Sequence, residues 1–204
     1  MRDTLKRGLT YGMVGNLFFI AFSLVCLIYY NIYDPAKISS RIIEIIAYTV
    51  ETLGFLSLML GMIDINRSVR MRPMLKFGFP VYILVELVMM ILELNSYQIE
   101  FYKPYSLLLA VIHAVFSAAV CFTFLSLDPG KSCLEVAVTI CFGVILGGML
   151  GNVIGIRIYF SILTNAVAYA GLFSAIRYMY CREMIEIDCH GDKARVAEYD
   201  SSFF

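Results

Sequence analysis

Charge is scarce in this chain. Only 16% of its 204 residues are Asp, Glu, Lys or Arg, against about 25% in soluble domains. The 16 basic and 16 acidic residues cancel, so there is no basic footprint for nucleic acid. Only two histidines are present, with no H-E-x-x-H pair to hold a catalytic metal. The cysteines, at 26, 121, 133, 141, 181 and 189, form neither a C-x-x-C pair nor a disulfide framework. Cys189-His190 is a weak metal signal. No G-x-S-x-G elbow occurs. Gly130-Lys131-Ser132 ends like a phosphate-binding loop but lacks the glycine-rich turn before it. With no catalytic constellation and no metal or cofactor motif, an intramembrane enzyme is disfavoured.

What the chain has is apolar length. Hydrophobic residues make up 60% of it and the mean hydropathy is +0.79. They come in blocks of about 20, the length that crosses a bilayer as helix. The expectation is an all-α polytopic membrane protein, a bundle of six transmembrane helices. The spans are Leu9 to Tyr30, Ile42 to Ile63, Met74 to Leu94, Tyr105 to Leu127, Cys133 to Ile154 and Ile158 to Tyr180. Turn signals at Asp34-Pro35, Lys103-Pro104 and Asp128-Pro129-Gly130 separate several of them. The basic N-terminus before an apolar run resembles a signal peptide, but no small-residue cleavage site follows, so it reads as a retained first span.

Lysine and arginine set the orientation. Arg2, Lys6, Arg7, Arg67, Arg70, Arg72, Lys76, Lys131, Arg177, Arg182, Lys193 and Arg195 fall on one side, and Lys37, Arg41, Lys103 and Arg157 on the other. The richer side is expected to be cytoplasmic, with both termini there and a plasma (inner) membrane location. Tyrosines 29, 30, 33, 97, 102 and 105 would form the outer interfacial belt. Residues 1–180 form one six-helix domain, and 181–204 a short polar cytoplasmic tail. The sequon Asn66-Arg67-Ser68 is then cytoplasmic and silent.

Against this background the stretch VYILVELVMMILEL, residues 81–94, stands out. Glu86 and Glu93 are seven residues apart, on one helix face and about 10 Å apart along the axis. Glu44 and Glu51 repeat that spacing in the preceding span. In a symmetric hairpin Glu51 shares a depth with Glu86, and Glu44 with Glu93. The next hairpin brings His113 to the depth of Glu86. Ionisable groups at such depth are costly and are by default a functional hypothesis, although interhelical hydrogen bonding is the structural alternative. Asn16, Thr164 and Asn165 are weaker polar marks of the same interior. Pro80, after Gly78, is expected to kink or loosen the third span.

The fifth span carries Gly143, Gly147, Gly151 and Gly155, three consecutive G-x-x-x-G units, with Gly148 beside them. Such a face permits close helix approach. Its partner is span six, span one or a second copy, with an intramolecular partner favoured.

Two functions fit. The first is transport or binding of a proton, a cation or a small amine-bearing solute. Glu51, Glu86 and His113 would form the site, Glu44 and Glu93 its outer entrance, and Asn165 part of the lining. The second is a non-transporting sensor or assembly subunit that uses the glycine face to meet a partner subunit or its own copy. In both, the bilayer is the constant partner and nucleic acid is not one.

Overall fold

A computed structural model describes residues 2–32, 38–69, 73–95, 102–153 and 158–187. Six α-helices account for nearly all of them: α1 (Arg2–Ile32), α2 (Ile38–Ser68), α3 (Pro73–Asn95), α4 (Tyr102–Thr123), α5 (Ser132–Val153) and α6 (Ile158–Cys181). A 3₁₀ turn, Phe124–Leu127, follows α4. The protein is therefore all-α, with one helix at each expected span. α1 and α2, 31 residues each, overrun their apolar blocks at both ends. Hydropathy marks the apolar stretch, whereas helix propensity extends into the polar flanks.

Among the described residues, four helical segments are long and apolar enough to cross a membrane: Asp3–Leu27, Ile42–Ser68, Ser132–Gly151 and Phe160–Cys181. The corresponding stretches of α3 and α4 are shorter, Met74–Val85 and Val111–Leu127.

α1 and α2 form the closest pair, and glycine is the reason. A Cβ added at Gly61 would lie 2.9 Å from the Gly8 carbonyl oxygen, and one at Gly15 would lie 2.9 Å from that of Gly54. The backbones touch at both places, leaving no room for a side chain. Ser57 Oγ donates to the Tyr11 carbonyl at 2.9 Å between these two contacts. At one end of the pair, Arg7 Nε and Nη2 donate to the two Asp64 carboxylate oxygens at 2.7 and 3.1 Å. Toward the other end Phe19 meets Phe55 edge to face at 5.0 Å.

α1 also packs on α6, α6 on α5 and α4, and α4 on α3 and α5. α2 and α4 do not meet among the described residues. The space between α1, α3, α4 and α6 is filled by aromatic rings. Phe79, Phe124 and Phe173 form a triad with centroids 5.4 to 6.1 Å apart. Tyr82 stacks on Tyr169 at 4.2 Å. Gly12 admits the Phe173 ring, since a Cβ there would come within 2.7 Å of it. Pro80 sits within α3, where it removes the donor for the Lys76 carbonyl. Gly78, two residues earlier, packs directly against Thr123 of α4.

The start of the expected tail is structured. α6 ends with Met184 N donating to Met179 O at 2.9 Å and Glu183 N to Tyr180 O at 3.2 Å. This is the two-bond Schellman closure, and Glu183 takes the left-handed position, φ 56°. The turn sends Ile185 and Ile187 back into the main core. The Glu186 amide donates to Asp128 Oδ2 at 2.8 Å. Residues 188–204, including Cys189-His190, lie outside the described residues.

Candidate functional site

α4 and α6 run parallel, and each presents two polar residues one turn apart. On α4 these are His113 and Ser117; on α6 they are Asn165 and Tyr169. Asn165 Nδ2 donates to His113 Nδ1 at 3.1 Å and to Ser117 Oγ at 3.3 Å. In this amide orientation Nδ1 accepts and the ring proton sits on Nε2; the flipped amide would require the other tautomer. Tyr169 OH donates to the Ser117 carbonyl at 2.5 Å. All four side chains are essentially inaccessible. The i, i+4 spacing on both helices is what sets the two rungs in register.

Asn165 Oδ1 is buried and has no hydrogen-bond partner among the described residues. Rotating the amide by half a turn would let its oxygen accept from Ser117 and the imidazole, but would leave the nitrogen without an acceptor. One end of Asn165 therefore lacks a partner in either orientation, and such a group costs about 1–3 kcal/mol when buried.

A second polar strand lies on the far side of the stacked tyrosines. Tyr82 OH donates to Asn16 Oδ1 at 3.0 Å, and Asn16 Nδ2 donates to the Gly12 carbonyl at 2.9 Å. The Tyr82–Tyr169 stack thus joins the two polar groups through an apolar contact. Side chains from α1, α3, α4 and α6 converge here.

The expected site residues divide. His113 and Asn165 come together. Glu51 is buried, 4% exposed, on α2, which packs against α1 and not against α4. Glu51 and His113 therefore belong to non-adjacent helices, and hairpin symmetry, which equates their depths, carries no information about which helices are neighbours. Glu44 is half-buried near the start of α2. The backbones of Glu86 and Glu93 belong to α3, but their side chains lie outside those described, as does Gly155.

The glycines of α5 also divide. Gly143 and Gly147 are exposed, and a Cβ on either would meet nothing within 4 Å. Gly151 is buried. The intimate contact with α6 is made by Gly148, which packs against Thr164.

Ser117, Tyr169, Tyr82 and Asp64 were not singled out by the sequence. Ser117 and Tyr169 are each one turn after a residue that was, and that spacing is the available signal. No protein-family model matches this chain, and neither any curated protein nor any solved structure does.

Proposed function

We propose that this chain is a six-span integral membrane protein with both termini cytoplasmic. On this reading it binds, and moves across the bilayer, a proton, a cation or a small amine-bearing solute at an interior polar site. Support for the six spans comes from the surface. Large apolar side chains are exposed on every helix, among them Leu24, Leu56, Leu84, Ile112, Ile140 and Val167. Soluble monomers rarely present apolar surface so extensively. α3 and α4 share in it although their described apolar stretches are short.

The observation that carries the site is the partnerless end of Asn165, held beside His113 between α4 and α6. A buried amide with a free acceptor, next to an imidazole, suits a small donor: a protonated amine, a hydrated cation or a water that relays a proton. Glu51, a buried carboxyl on α2, is a further proton-binding group of the interior in this reading. The test is uptake by proteoliposomes, with a proton-sensitive dye and a panel of small amines. His113→Gln and Asn165→Leu should each abolish uptake while the protein stays folded. Full activity in both variants would overturn the assignment.

The second reading, a partner-binding module, draws on Gly143 and Gly147 facing outward with open space before them. Together with Val136, Ile140 and Leu150, all strongly exposed, they suit close approach by another transmembrane helix. Gly143→Leu with Gly147→Leu should then abolish the complex and leave the isolated fold intact.

A further inference from the structure

A lateral groove of about 720 Å³ opens between α3 and α4. Met74, Phe77 and Val81 of α3 face Phe116, Ala119 and Phe122 of α4 across it. Its two wall hydroxyls are already engaged. Thr123 Oγ1 donates to the Val120 carbonyl at 2.7 Å and Ser126 Oγ to the Thr123 carbonyl at 2.6 Å. The groove thus has little to offer a polar solute, and its occupant must be apolar along this length. Met74 and Phe77, 69% and 66% exposed, open it sideways rather than toward the interior.

One end of the groove reaches Pro129. Lys131 follows two residues later and is exposed. The nearest carboxylate in sequence, Asp128, accepts the Glu186 amide. An apolar slot whose Pro129 end lies two residues from an exposed lysine is complementary to a molecule with a long hydrocarbon chain and an anionic head.

We infer that this groove is a binding site for one acyl chain of an anionic glycerophospholipid, whose phosphate meets Lys131. The inference rests on the membrane reading above. Gly78 and Thr123, packed directly against each other, line the same groove. Basic residues at a membrane surface each favour anionic lipid by about fivefold, so the site should select lipid by head charge.

The chain has no tryptophan, so one introduced indole reports without background. Phe77→Trp places it in the groove wall. Ile63→Trp places it on an exposed position near the corresponding end of α2. Each variant is reconstituted in phosphatidylcholine vesicles containing a small fraction of brominated phosphatidylglycerol or brominated phosphatidylcholine. Brominated phosphatidylglycerol should quench the groove indole several-fold beyond its mole fraction, and the α2 indole only in proportion. Lys131→Gln should remove the excess. Proportional quenching at both positions overturns the proposal. So does a groove indole that no lipid quenches while the α2 indole is quenched, since a second copy or another protein segment then covers the groove. If neither indole is quenched, the membrane reading itself fails. Should Phe77→Trp not fold, native mass spectrometry of the unsubstituted protein decides. One retained anionic phospholipid is expected, lost in Ala119→Phe, which fills the groove; equal retention in both overturns the proposal.

Discussion

Asn165 and His113 are hydrogen-bonded across α6 and α4 at 3.1 Å, with both side chains about 1% exposed. The same Asn165 nitrogen reaches Ser117 at 3.3 Å. Removing Asn165 takes this donor from two buried partners at once. Asn165→Leu should lower unfolding stability in detergent by about 1–3 kcal/mol, the cost of unmet buried groups. A double-mutant cycle with His113→Ala should give a coupling of about 0.5–1.5 kcal/mol, the range of interhelical bonds in membrane proteins. Additive effects would mean that the contact contributes nothing.

Arg7 and Asp64 make an unequal pair, since the Arg7 side chain is 58% exposed and that of Asp64 only 8%. Losing the exposed partner leaves a buried carboxylate with no cation, whereas losing both leaves no charge to bury. Arg7→Ala should therefore lower the thermal midpoint more than Arg7→Ala combined with Asp64→Ala. Melting curves in detergent, monitored by circular dichroism, compare them. A double variant that melts below Arg7→Ala would show that the pair is not what holds the ends of α1 and α2.

The six helices were legible because the membrane-length apolar blocks and the Asp/Pro/Gly breaks between several of them are properties of local sequence. Neighbour relations were not. Gly8 and Gly15 on α1 and Gly54 and Gly61 on α2 are less regular than the four-residue glycine repeat of α5, yet they bring two helix backbones into contact. A glycine face permits approach but does not name who approaches. In α5 the regular stripe of Gly143 and Gly147 points outward, and the irregular Gly148 does the packing. For the site, the costly residues His113 and Asn165 were visible as polar marks in apolar runs. Their pairing was not, because it depends on α4 lying against α6, which only the tertiary arrangement decides. The packing at the start of the tail was not legible for a related reason. Its polar composition hides the alternating Ile185 and Ile187, which the turn at Glu183 directs into the core.

Gly147 and Gly148 are adjacent, and their replacement should have opposite consequences. Gly148→Leu collides with Thr164 and should destabilise the fold by about 1–3 kcal/mol, as overpacking does. Gly147→Leu meets open space and should leave the isolated protein's stability within about 0.5 kcal/mol, as benign surface changes do. Denaturant titration of the two variants in the same detergent tests the assignment. Equal losses would mean that α5 is rotated about its axis from the orientation described.

Glu183 is the described non-glycine residue with positive φ, and it occupies the position that glycine takes in most Schellman closures. A side chain in the left-handed region costs about 1–2 kcal/mol because Cβ crowds the following carbonyl. Glycine regains part of this but loses more conformational freedom on folding. Glu183→Gly should therefore stabilise the protein by about 1 kcal/mol at most. Glu183→Pro cannot reach φ 56°, because its ring fixes φ in the negative range. It should release the turn, with Ile185 and Ile187 leaving the core and the Glu186–Asp128 bond lost. Hydrogen exchange at the Met184 and Glu186 amides distinguishes the outcomes: protection should rise or hold in the glycine variant and vanish in the proline one. Unchanged protection in Glu183→Pro would mean that this segment is held by something other than the turn.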